Sequence, residues 1–219
     1  MNIDRLYIKG PADADYVAVD TTYGLHLKWR VLSAPVPKMQ RDDIPGMNGT
    51  LDSTEEFGEV FYNDRQLALD CIHPNDSWYG DMQNFISAYH GQDVKFAFSN
   101  DPNYYWAGRL IVTGYSAKDH SLQMAATVYP YKFKKTKTTV SQTGSGSVTL
   151  TNGRMKVVPE VTITDACTLA WGSNTKQLSA SSYPQTVRVA GLELAPNSSL
   201  SVTVTGSATV TFTYREGAL

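Results

Sequence analysis

The sequence predicts a mainly β protein of two domains: an N-terminal β-sandwich-like domain with one α-helix, then a smaller β-sandwich with none. Three observations point there. Short runs of β-branched and aromatic residues recur along the chain, several with period-two alternation. A single segment carries apolar residues at three- and four-residue spacings instead. Composition also changes sharply near residue 134. A chain of 219 residues has room for one large all-β unit or two domains of roughly 100 residues each.

In the first part, RLYIK, YVAV, LHLKWRVLS, VKFAFS, YYWAGRLIVTGY and LQMAATVYPYKF read as strands of a mostly antiparallel system. The run SWYGDMQNFISAYHG puts Trp78, Met82, Phe85, Ile86 and Tyr89 on one helical face. Asp76 or Ser77 is placed to cap its first amides, and Gly91 follows as a residue able to turn left-handed. His90, in the last turn, is placed to satisfy terminal carbonyls.

Three of the four tryptophans, all four histidines and most of the charge lie before residue 134; Ser, Thr, Val and Gly dominate after it. The boundary is expected between Phe133 and Val140, giving domains 1–135 and 140–219 with a linker at about 134–140. TTVSQTGSGSVTL, with its Gly/Ser centre at 144–147, reads as a mobile linker or a hairpin turn. KVVPEVTIT, TLAWGS, QTVRV, SLSVTVTG and TVTFTYR then recur between the turns TNG, GSN and APN, the pattern of a compact sandwich.

Charge and motifs exclude several functions. A net charge of -2 and a pI near 6.1 supply no footprint for nucleic acid. The cluster Lys132, Lys134, Lys135 and Lys137 reads as a solvated linker. No run suits a membrane helix, and MNIDRLYIKG has no apolar signal core, so synthesis and initial residence in the cytosol are expected. Cys71 and Cys167 fall on opposite sides of the boundary and read as free core thiols. His26, His73, His90 and His120 lack metal-ligand spacing, so neither metal nor cofactor is expected. Asp52, Glu55, Glu56 and Glu59 include the residue types of a glycosidase acid–base pair, but TLDSTEEFGE also reads as a polar capping turn. Asp101 and Pro102 mark a turn, and Tyr104, Tyr105 and Trp106 read as packing. Walker, GxSxG, GxGxxG and CxxC motifs are absent, and no enzyme is expected.

The order of motifs says more than any one of them. PGMNG at 45–49, FYNDRQLALDC at 61–71, AYHGQ at 88–92, DPNYYWAGR at 101–109, YPYKFK at 129–134, TNGRMKVVPEVTIT at 151–164 and FTYREGAL at 212–219 together resemble the distal tail protein family of siphoviruses and prophages. The resemblance covers essentially the whole chain and implies a virion protein, assembled in the host cytoplasm. Its first domain would pack into a hub ring, usually hexameric, and its second would be galectin-like or jelly-roll-like. Implied partners are further copies, the tail tube or tape-measure protein, a tail-associated lysin and a receptor-binding protein. Met47 and Asn48 stand where the family commonly carries arginine and aspartate.

A ring built from heterologous contacts needs two complementary surfaces on each subunit. The stretch IPGMNGTLDSTEEFGEVFY at 44–62 is the candidate for one of them. Gly46 and Gly49 allow close backbone approach, the acids steer, and Phe57, Val60, Phe61 and Tyr62 supply buried area. The alternative is a carbohydrate-binding adhesin with Trp171 and Tyr183 as sugar platforms, and a glycoside hydrolase using the 52–59 acids comes third.

Overall fold

The alternating segments pair antiparallel in the computed structural model, which describes residues 4–56 and 58–219. Two units emerge, Met1–Lys132 and Phe133–Leu219, each around its own apolar core.

In the first unit, β1 (Leu6–Lys9), β2 (Val17–Ala18), α1 (Val19–Tyr23) and β3 (His26–Leu32) lead into a long excursion with two short strands, β4 (Arg41–Asp42) and β5 (Leu51–Asp52). The chain returns through β6 (Arg65–Ile72), α2 (Trp78–Tyr89), β7 (Asp93–Phe98), β8 (Asp101–Ser116) and β9 (Ser121–Val128). The sheet runs β2-β1-β7-β8-β9-β6-β3. Period-two alternation decides which face is covered: Leu67, Leu69 and Cys71 of β6 and Leu122, Met124, Ala126 and Val128 of β9 are buried.

Met82, Phe85 and Tyr89 of α2 join that core. Burial of each such side chain contributes about 1.5–3 kcal/mol. Gly91 takes a φ of 77°, as its place after the helix requires. Two local readings change. Ser77 occupies the N-cap without a capping bond, its hydroxyl donating instead to Asp81 at 3.3 Å. His90 is the C-cap with extended backbone: its backbone N–H donates to the Ile86 carbonyl at 3.0 Å, but its imidazole turns away from the helix carbonyls, Nδ1 accepting the Val112 amide of β8 at 3.0 Å. The additional helix, α1, is a five-residue turn, too short to leave a periodic signature. Its Tyr23 packs edge-on against Phe85 and Tyr89 with ring centroids 5.4 and 6.0 Å away. Among the described residues no helix is long and apolar enough to cross a membrane.

The second unit contains β10 (Lys132–Lys134, whose first residue belongs to the preceding unit), β11 (Thr138–Thr143), β12 (Gly146–Thr151), β13 (Glu160–Ile163), β14 (Cys167–Trp171), β15 (Asn174–Leu178), β16 (Gln185–Arg188), β17 (Ser199–Thr205), β18 (Thr209–Tyr214) and β19 (Gly217–Ala218). Two four-stranded sheets, β11-β18-β13-β16 and β12-β17-β14-β15, form a sandwich. Val161, Ile163, Val210 and Phe212 meet Leu150, Leu169, Val202 and Val204 in its core.

The Gly/Ser centre is neither a mobile linker nor a hairpin turn. It carries the chain from one sheet to the other, because β11 and β12 pair with different partners. Gly144 donates its amide to the Ala208 carbonyl at 3.0 Å, and the Ser145 hydroxyl accepts the Gly206 amide at 3.1 Å. Those bonds hold the crossing in place. Cys71 and Cys167 are buried free thiols, as read from the sequence.

Candidate assembly surface

The excursion between β3 and β6 is a long arm. Its root continues the β3–β6 pairing through the Ser33 amide on the Gln66 carbonyl at 2.9 Å. Farther out, Asn63 N–H donates to the Val36 carbonyl at 2.9 Å and Lys38 N–H to the Phe61 carbonyl at 2.8 Å. Pro35 and Pro37 have no amide to offer, so these rungs stay sparse. Beyond them Arg41 pairs with Asp52 and Asp42 with Leu51. At the tip, the Met47 amide donates to the Ile44 carbonyl at 3.0 Å.

No described residue of the arm between 34 and 64 is buried. Val36, Met39, Ile44, Met47, Leu51 and Phe61 are exposed apolar side chains along it, with Met39 58% and Phe61 45% accessible, and Trp29 and Val31 extend the series onto β3. An ordered hairpin without a core of its own is the kind of exposed apolar surface that marks a protein contact. It is also acidic: Asp42, Asp43, Asp52, Glu55, Glu56 and Glu59 outweigh Lys38 and Arg41.

The structure distributes the candidate interface residues along this arm. Gly46 and Gly49 have φ of 87° and 82°, and a Cβ at either would meet nothing. Their glycine requirement is therefore left-handed backbone rather than close approach within the subunit. Val60 and Tyr62 are half-buried and Phe61 is exposed; the Tyr62 ring stands edge-on to Tyr131, centroids 6.0 Å apart. Phe57 lies outside the described residues. Val36 and Met39 lie outside the 44–62 stretch, and Leu51 within it is not among its named contact residues, since an isolated apolar residue in a loop gives no sign in the sequence of being uncovered.

The other candidates resolve differently. Asp52 accepts the Thr54 amide at 3.0 Å and faces Arg41 at 3.5 Å; bonds from Thr54 hold its carboxyl below the usual range, and it serves as a turn cap. Glu55 and Glu56 are exposed beside it. Trp171 is corrected as a sugar platform: it is 6% accessible, belongs to the second core, and donates its indole N–H to the Gly191 carbonyl at 3.1 Å. Tyr183 remains exposed, its hydroxyl accepting the Ala180 amide at 3.0 Å. His26 is exposed, His73 is buried within reach of Asp81 at 3.1 Å, and His120 stacks on Trp78. Among the described residues no three His, Cys, Asp or Glu side chains are grouped to hold a metal.

No family model matches the sequence, and no curated protein matches it. Among solved structures, the SPP1 Dit (gp 19.1) protein, described as a paradigm of the hub adsorption apparatus in Gram-positive-infecting phages, aligns with a TM-score of 0.64. The alignment covers 96% of this chain and 98% of that one at 15% identity. At that identity the likeness establishes a shared fold, spanning both units.

Proposed function

We propose that this chain is a distal tail protein, a structural subunit of a phage or prophage tail tip. Its first unit assembles into a ring, hexameric as the family resemblance implies, joining the tail tube to the host-adsorption apparatus. The observation that carries this reading is the coreless apolar arm, borne on a fold shared end to end with a phage hub protein.

A closed ring repeats one heterologous contact, so each subunit must bring a projecting surface to a receiving one. The arm supplies apolar area to bury and acids to guide encounter. Its partners are further copies of the chain, with the tail tube or tape-measure protein on one side and a lysin or receptor-binding protein on the other. The role is structural rather than catalytic, requires no cofactor, and places the protein in the virion after assembly in the host cytoplasm. With Trp171 in the core, the adhesin reading loses one of its two platforms.

Light scattering of the purified protein tests the proposal. The wild type is expected to form a discrete ring, and Met39→Asp with Phe61→Asp to give a monomer of unchanged circular dichroism. Both side chains are exposed in the subunit, whereas a charge in a desolvated contact costs on the order of several kcal/mol. A wild type that stays monomeric at all concentrations, or rings unaffected by both charges, would sink the assignment.

A further inference from the structure

Charge is divided unequally between the units: eleven Lys/Arg against seventeen Asp/Glu in the first, eight against four in the second. At one end of the β11-β18-β13-β16 sheet, Lys137, Lys156, Arg188 and Arg215 surround a concavity of about 320 Å³ whose lining contains one carboxylate, Glu160. Lys137 and Arg188 reach Glu160 at 3.4 and 3.2 Å and remain largely accessible, with 49% and 72% of their side chains exposed. Lys156 pairs with Glu193 at 2.6 Å, and Arg215 donates to the carbonyls of Lys134 and Lys135. Bonding from Arg188, then the charge of Lys137, holds the Glu160 carboxyl below the usual carboxylate range, the local sign of a positive field.

The sheet's outer face adds a second kind of recognition. Thr139, Thr213, Glu160 and Arg188 form one row across its four strands. Two residues along, Ser141, Thr211, Thr162 and Thr186 form the next, entirely of hydroxyls. Ser141 bonds Thr211 at 3.0 Å and Thr162 bonds Thr186 at 2.8 Å, and each hydroxyl oxygen keeps further acceptor capacity. The groove's one aromatic, Tyr214, is buried and donates its hydroxyl to the Thr151 carbonyl at 2.6 Å. It offers no ring on which a base could stack.

We propose that this groove binds a polymer carrying phosphodiester charges between hydroxyl-bearing units, a polyol phosphate rather than a nucleic acid. The phosphates sit between Lys137 and Arg188, displacing their contact with Glu160, and the polyol hydroxyls lie along the Thr/Ser row. The inference does not depend on ring assembly, since every residue it uses belongs to the second unit.

The test titrates the full chain calorimetrically with a poly(glycerol phosphate) oligomer at low salt. Parallel arms use inorganic phosphate, neutral polyglycerol and an oligothymidylate of equal charge. The polymer is expected to bind more tightly than all three. Lys137→Gln with Arg188→Gln should weaken it at least tenfold and flatten the slope of log K against log salt by about 1.4, at ~0.7 per lost phosphate contact. Glu160→Gln should tighten it severalfold, because the competing carboxylate is gone. Polymer binding no tighter than any of the three controls, an unchanged affinity in the double variant, or weaker binding by Glu160→Gln would overturn the proposal. The substituted cations are exposed, and unchanged thermal melting checks that the variants remain folded.

Discussion

At the scale of single residues, two positions are set by what surrounds them. A Cβ on Gly108 would stand 2.1 Å from the Thr127 carbonyl oxygen, where β8 lies against β9 in the middle of the sheet. Backbone there has no rotamer by which to yield. Gly108→Ala is therefore expected to lower stability by about 3 kcal/mol, read as a shift of the urea midpoint, whereas Gly114→Ala, with open space at its Cβ, should be close to neutral. Cys71 is the second. Burial, then the neighbouring Asp70 charge, pushes its thiol from 9.0 up to about 12. Folding thus favours the protonated thiol: its contribution is complete below pH 9 and is lost as pH rises from about 9 toward 12. Thermal melts should show that alkaline decline, and Cys71→Ala should flatten it while starting from a lower melting temperature. A thiol reagent at neutral pH should leave native Cys71 unmodified; rapid modification without unfolding would contradict its burial.

Elements differ in how much core each one owns. Helix α2 is anchored by Phe85, fully buried against Tyr23 and Tyr89, and Phe85→Ala is expected to cost about 3–5 kcal/mol, measured by denaturant unfolding. The arm has the opposite character. Its exposed tip between β4 and β5 invites nicking, while the Gly144–Ser145 crossing is tied by hydrogen bonds to Ala208 and Gly206. Limited proteolysis of unassembled protein should cut within 43–50 before it cuts within 144–146, with mass spectrometry locating the sites. First cleavage at 144–146 would show the crossing to be looser than its bonding implies. Assembly, where it covers the arm, should slow the first cut.

On the scale of the whole molecule, each unit has its own apolar cluster, and damage to one should stay local. Phe212→Ala, deep in the second sandwich, is expected to lose about 3–5 kcal/mol of stability there. Hydrogen exchange should then quicken in strands β11 to β18 and stay unchanged in β6 to β9. Quickening in both would mean that the chain unfolds as one cooperative block. The unequal charge of the units also makes the two proposals differ in salt dependence: the proposed binding at the Lys137–Arg188 groove should weaken as ionic strength rises, whereas the proposed assembly through the arm's apolar side chains should persist.

Local features were legible in the sequence. Period-two runs predicted many of the strands, the spacing of Met82, Phe85 and Tyr89 predicted α2, and Gly91 marked its end, because those signals are carried by neighbouring residues. Alternation in TVTFTYR matches the burial of Val210 and Phe212. Tertiary structure alone decided what depends on distant partners. Whether Gly144 turned a hairpin or crossed between sheets rested on the pairing of β11 with β18 and β12 with β17. Trp171 went to the core because Gly191 and the facing sheet receive it. Lys137 and Arg188 became one cluster only because β13 holds Glu160 between them. Along the arm, Met39 and Phe61 became a surface because no described residue covers them. Periodicity records which side of an element is apolar; which face finds a cover is settled only when remote segments pack.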